Sequence, residues 1–140
     1  MERTAMAGHL IRRLHQQSTQ VFQAGTQAAG FDMTSVQFAA LDAIADEPGI
    51  DQARLAASIG FDRATIGGVI DRLELKGLVE RAVSEEDRRA RRLTLTAAGK
   101  KLLGASRPVV EHLQAGILGP LSRAERALFM KLARKALSLA

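Results

Sequence analysis

Apolar residues recur at helical spacing through most of this chain and alternate at strand spacing in one short region only. Met6, Leu10, Leu14, Val21 and Phe22 mark one face of a long first helix over roughly 4–27, which Gly30 closes. Three shorter helices are predicted over about 34–46, 51–58 and 62–76, with links at Pro48-Gly49 and Gly60. Leu78 to Val83 reads as a strand, and Arg91 to Leu95 as its partner. A fifth helix runs from Thr96 to about Gly116, with Pro108 able to kink it, and a sixth covers Ser122 to Leu139.

Start and stop signals agree with these spans. Thr34 and Gln37 have capping-box spacing, with Met33 and Phe38 as the staple pair, and Ser122 with Glu125 repeats the box. Asp51 and Asp62 stand where caps are needed, stapled by Ile50 with Leu55 and by Phe61 with Ile66. Lys76-Gly77 supplies a cation in a last helical turn and a glycine for the left-handed position after it.

Three short helices followed by two strands around a charged loop have the order of a winged helix-turn-helix. The predicted fold class is mainly α with a small β-wing (α+β), a winged helix-turn-helix flanked by N- and C-terminal dimerisation helices. One domain of 140 residues is expected, with the winged core over 33–97 and a helical region from 1–32 and 98–140. The first helix is too long to bury its stripe against a core of about 60 residues, so a second copy of the chain is its natural partner.

A net charge of +5 makes an acidic partner plausible. Cysteine is absent, which removes disulfides, thiolate sensing and thiolate zinc ligation. Charges interrupt MERTAMAGHLIRRLHQQ before a signal-peptide core can form, and no uncharged run approaches a membrane span, so a cytoplasmic location and no membrane partner are expected.

The second helix of a helix-turn-helix enters the major groove. Here it is DRATIGGVIDRLELKG, whose Ile66, Val69, Ile70 and Leu73 are expected in the core. Arg63, Ala64, Thr65, Gly67, Gly68 and Arg72 are left outward or at the margins, with Arg63 placed for a guanine edge or a phosphate and Thr65 for a base or the backbone. The two glycines cost such a helix roughly 2 kcal/mol relative to alanine. Sequence drift, close packing against a neighbouring helix, and close approach to the groove all remain open as the reason.

SEEDRRARRLTLT places four arginines in five positions at the lip of the second strand. A hairpin tip carrying Asp87, Arg88 and Arg89 suits the narrow, negative minor groove, and Arg91 suits a phosphate. Asp87 is expected to clamp Arg72 and so to fix the wing against the helix. Taken alone, the same segment also reads as a solvated turn.

MTSVQFAALDAI, LAASIGFDRATIGGVIDRLELKGLVER and SEEDRRARRLTLTAAGKKLL together resemble the MarR family of bacterial transcription regulators over Met33 to Leu103. The resemblance implies one MarR-type domain, an obligate homodimer joined through both termini, and double-stranded DNA with pseudo-palindromic operators as the partner. It also implies release by a small molecule, often an aromatic or phenolic acid. By position, Asp87 and Arg89 match the family's D-x-R wing motif and Arg72 the arginine that pairs with its aspartate. Gly67-Gly68 departs from the pattern, since many members carry a hydroxyl residue and an arginine there.

The absence of cysteine closes oxidant sensing, leaving a bound effector such as an aromatic carboxylate or its thioester. Pockets in the family lie between dimerisation helices and winged domain. On the first helix Arg13 and His15 border the apolar stripe, where Arg13 can take a carboxylate and His15 add a hydrogen bond, with Phe22 and Phe38 as apolar wall. An interface arginine and an ordinary edge histidine are the plainer account of that pair.

No cofactor and no metal are expected: the three histidines lack ligand spacing, and no nucleophile motif or phosphate loop occurs, so the chain does not read as an enzyme. A ligand-responsive repressor is the expected function. The competing reading is a winged-helix protein-interaction module without DNA binding.

Overall fold

The computed structural model describes residues 2–83, 86 and 91–139. A 3-10 turn, Arg3–Ala5, precedes α1 (Ala7–Ala28), α2 (Ser35–Asp46), β1 (Ile50–Asp51), α3 (Gln52–Ile59) and α4 (Arg63–Leu75). Then come β2 (Val79–Val83), β3 (Arg91–Leu95), α5 (Ala97–Ile117) and α6 (Arg123–Ala136).

The caps act as their residue types require. Thr34 and Gln37 complete a reciprocal box at 3.1 Å in each direction, and Ser122 and Glu125 form a second at 2.8 and 3.2 Å at the start of α6. Asp51 accepts from the Arg54 amide at 2.8 Å, and Asp62 from the Thr65 amide at 2.7 Å. After α4 the Leu78 amide donates to the Leu73 carbonyl and Gly77 turns at φ 74°. This closes the helix carbonyls and throws the chain straight into β2.

Two differences from the sequence reading have local causes. Met6 is extended (φ −94°, ψ 120°), so the first apolar stripe begins in a separate turn and α1 proper starts after it. The two-residue β1 carries no periodicity of its own. It exists because Ile50 and Asp51 pair antiparallel with Leu93 and Arg92, giving a three-stranded sheet in the order β1-β3-β2. Arg92 adds to this junction by reaching the Gly49 carbonyl at 3.4 Å and the Glu86 carboxylate at 3.8 Å.

Leu41, Ile44, Leu55, Ile66, Ile70, Leu73 and Leu93 are fully buried and join α2, α3, α4 and β3 in one core. α1 and α5 run alongside each other, tied by Gln17 Nε2 donating to the Ile117 carbonyl at 2.6 Å. Thr26 and Ser106 are buried there without cost in unpaired groups, because each hydroxyl donates to a carbonyl one turn back, at 2.8 Å. Pro108 sits within α5 without ending it.

Where α5 begins it presses on the turn after α4. A methyl on Gly99 would overlap the Leu78 carbonyl oxygen, whereas one on Gly104, five residues on, meets nothing within 4 Å. Gly99→Ala is therefore expected to destabilise the fold by about 2 kcal/mol, and Gly104→Ala to stabilise it by a few tenths to about 1 kcal/mol. Chemical denaturation at fixed protein concentration checks both; equal effects at the two positions would contradict the close contact at Gly99.

Candidate nucleic-acid interface

α4 is held by Ile66, Val69, Ile70 and Leu73, all buried. At about 100° per residue, the opposite face of the helix is centred on Ala64, Gly68, Asp71 and Leu75. All four are exposed, Leu75 at 92%. Arg63 and Thr65 flank that face on opposite sides, each about 100° from Ala64, and Arg72 lies on the Thr65 side. All three are exposed.

Thr65 is less free than its sequence position suggests. Its hydroxyl donates to the second oxygen of Asp62 at 3.1 Å while its amide holds the first. These bonds, the amide before the hydroxyl, hold the Asp62 carboxyl below its ordinary range. At neutral pH the N-terminus of α4 thus carries a fixed carboxylate that already occupies an amide a phosphate would seek.

The packing account of Gly67-Gly68 is not supported at either position. A methyl at Gly67 would meet only the flexible end of Gln52, at 3.3 Å, and one at Gly68 meets nothing within 4 Å.

The wing tip, with Asp87, Arg88 and Arg89, lies outside the described residues, and so does the expected pairing of Asp87 with Arg72. Among the described residues, Arg72 has no hydrogen bond or ion pair from its side chain. A different clamp is present. Arg81 of β2 pairs with Asp71 of α4 and lies 3.9 Å from Glu74. The Arg81 side chain is 22% exposed, so this contact ties β2 to α4 from a partly sheltered position. Nothing in the sequence marks it until the register of β2 on β3, with Arg81 opposite Leu93, is known. Arg91 opens β3, exposed and opposite Val83.

The residues expected to receive an effector separate into two places. Phe22 and Phe38 meet, ring centroids 6.2 Å apart and tilted at 53°. Phe38 lines a cavity of about 290 Å³ between α2 and α5 with Asp42, Arg107, Val110, Glu111 and Gln114. A neighbouring groove of about 670 Å³ shares Asp42 and Arg107 and adds Asp46 and Glu47. Arg107 pairs with Asp42, so the carboxylates outnumber the cations in both cavities.

Arg13 and His15 line neither cavity. Nine residues separate Arg13 from Phe22, which is about 13 Å along a helix and roughly half a revolution around it. The four residues therefore do not form one site within a chain, and the periodicity that placed Arg13 beside the stripe ignored that axial distance. Both side chains are exposed on the N-terminal half of α1, beside Leu10 (44% exposed) and Ile11 (64%). Among the described residues no cluster of three or more metal-ligating side chains occurs, and no helix is long and apolar enough to cross a membrane.

Comparison with known proteins agrees with this geometry. Residues 31–90 match the model of the MarR family. The transcriptional regulator HosA of Escherichia coli O127:H6 is 40% identical over 129 residues, covering 92% of this chain and 93% of that protein. Among solved structures, the PcaV transcriptional regulator of Streptomyces coelicolor in complex with its natural ligand superposes with a TM-score of 0.87 at 30% identity, covering 99% of this chain and 96% of that one. Bordetella bronchiseptica BpsR, whose DNA binding is regulated by 6-hydroxynicotinic acid, superposes with a TM-score of 0.88 at 29% identity over 100% of this chain and 99% of that one. With an exposed helix seated on a winged core and likeness along nearly its whole length, this chain belongs to the MarR family of DNA-binding, winged-helix transcription regulators and is not an enzyme.

Proposed function

We propose that the protein is a homodimeric repressor whose two copies grip a pseudo-palindromic operator and let go when a small aromatic acid, or its thioester, binds. The winged core over 33–97 reads the duplex, and the helices of 1–32 and 98–140 join the copies. In each copy α4 enters the major groove, with Arg63, Thr65, Gly67, Gly68 and Arg72 facing the bases or their margins. Arg89 of the wing enters the adjacent minor groove, and Arg88 and Arg91 take phosphates. Asp87 secures the wing to Arg72, beside the Arg81–Asp71 pair.

The observation that carries the dimer is the uncovered apolar surface at both ends of the chain. α6 buries none of its residues, and Leu128, Met130 and Leu132 stand about half exposed. Met6, Leu10 and Ile11 are equally bare at the other end. Surfaces of this kind on a soluble domain mark an interface, and a two-fold partner made of the same helices covers them symmetrically.

Charge supports an effector site on the basic half of α1 rather than in the acidic cavities beside Phe38. A carboxylate is attracted to Arg13 and His15 and repelled by Asp42, Asp46, Glu47 and Glu111. Phe22, about 13 Å along α1 from Arg13, cannot wall such a site within one copy. That BpsR answers to an aromatic acid favours this ligand class.

Retention of its upstream DNA in a gel shift, falling steeply between low and moderate salt, is the expected result. No retention even at low salt would favour a protein-interaction module instead. Arg89→Ala is expected to weaken operator binding by more than about tenfold, and unchanged affinity would remove the wing from the mechanism. Asp87→Ala is expected to weaken binding although it removes a negative charge; tighter binding would contradict the clamp. Arg13→Ala is expected to keep near-normal DNA affinity while blunting release by an aromatic acid, and an intact response would move the effector elsewhere.

A further inference from the structure

Gly68 occupies the middle of the exposed face of α4, opposite Ile66, Val69, Ile70 and Leu73. Glycine weakens a helix interior through backbone freedom, so at an exposed site almost any other residue favours the helix more. Intramolecular packing supplies no reason for it, because a methyl there meets nothing within 4 Å, and its φ is not in the left-handed region. Gly104 is as empty, but only Gly68 lies at the centre of the exposed face of α4, where a close neighbour from outside the chain would meet bare backbone.

The surroundings of Gly68 limit how a duplex can approach. The end-on route to α4 is guarded by the ionised Asp62, which already holds the Thr65 amide. Asp71, one turn further on, is drawn toward β2 by Arg81. Ala64 is one turn before, on the same line as Gly68, and brings only a methyl. What faces outward at the second turn is thus carbon and bare backbone, flanked by the cations Arg63 and Arg72. A base edge met by such a surface gains nothing from hydrogen-bond donors or acceptors. The major-groove group that carbon complements is the thymine C5-methyl.

We propose that Gly68 is a specificity-determining residue: its missing side chain leaves the space into which a thymine methyl of each half-site fits, so that an A·T pair is read there by shape. The inference rests on the DNA-binding reading of α4. It assigns to Gly68 the discrimination that a side chain would otherwise supply, with Arg63 and Arg72 reading or anchoring to either side.

The test uses the full-length protein and the duplex that it selects from a randomised pool. A thymine is expected at the position in each half-site that α4 protects. Replacing it by deoxyuridine, which removes only the methyl, is expected to weaken the wild-type protein about fourfold per half-site. Gly68→Ala is expected to melt about 3 °C higher and to bind the selected duplex about tenfold more weakly. In that variant the thymine-to-deoxyuridine change is expected to have no effect, because the methyl has already lost its place. Equal affinity of Gly68→Ala and wild type, a deoxyuridine change without consequence for the wild type, or no thymine in the protected positions would each overturn the assignment while leaving DNA binding intact. A wild-type protein that enriches no sequence at all would overturn the DNA reading beneath it as well.

Discussion

The rotation of α4 about its own axis is set by four aliphatic side chains, and the rest of the interface follows from it. Ile66, Val69, Ile70 and Leu73 enter a core shared with Leu41, Ile44, Leu55 and Leu93. Burying a side chain of this size is worth about 1.5–3 kcal/mol. An exposed ion pair such as Arg54–Glu47 contributes at most about 1 kcal/mol. The helix cannot roll to present another face without expelling several of these groups, so the outward residues are fixed before any duplex arrives. This pre-set orientation is what the proposed reading of a duplex by α4 requires.

The charged groups refine that arrangement rather than create it. Arg81 holds α4 through Asp71, and Arg92 joins β3 to the Gly49 turn ahead of β1. Both are wing-strand arginines engaged within the chain, so part of the positive charge of this region braces the wing. The core of the winged unit is closed within the chain, whereas α6 and the start of α1 leave Leu10, Leu128 and Leu132 about half exposed.

Much of this was legible in the sequence because local chemistry repeats in recognisable units. Thr34, Asp51, Asp62 and Ser122 each start a helix as their side chains suggest, and the four anchors of α4 are buried as its periodicity requires. Features set by distant pairing were not legible. β1 exists only through Leu93 and Arg92, and the Arg81–Asp71 contact depends on strand register. The close contact of Gly99 with the Leu78 carbonyl depends on where α5 crosses the turn. Arg13 and Phe22 share one helix in the sequence but stand about 13 Å apart along it and roughly half a revolution around it, so they do not converge. The emptiness around Gly68 depends on where α3, β2 and the rest of the chain lie, which no local pattern of residues records.

Because the chain has no cysteine, a single one introduced at the exposed Leu75 can carry an iron chelate on the outer face of α4 without competing thiols. Cleavage of a bound operator by Leu75→Cys carrying that chelate measures directly where the helix lies and how many copies are present. Two clusters of cuts, related by two-fold symmetry and centred about 10 base pairs or a multiple of that apart, are expected from paired helices in successive major grooves. A single cluster, or none on DNA that the protein demonstrably holds, would contradict the arrangement.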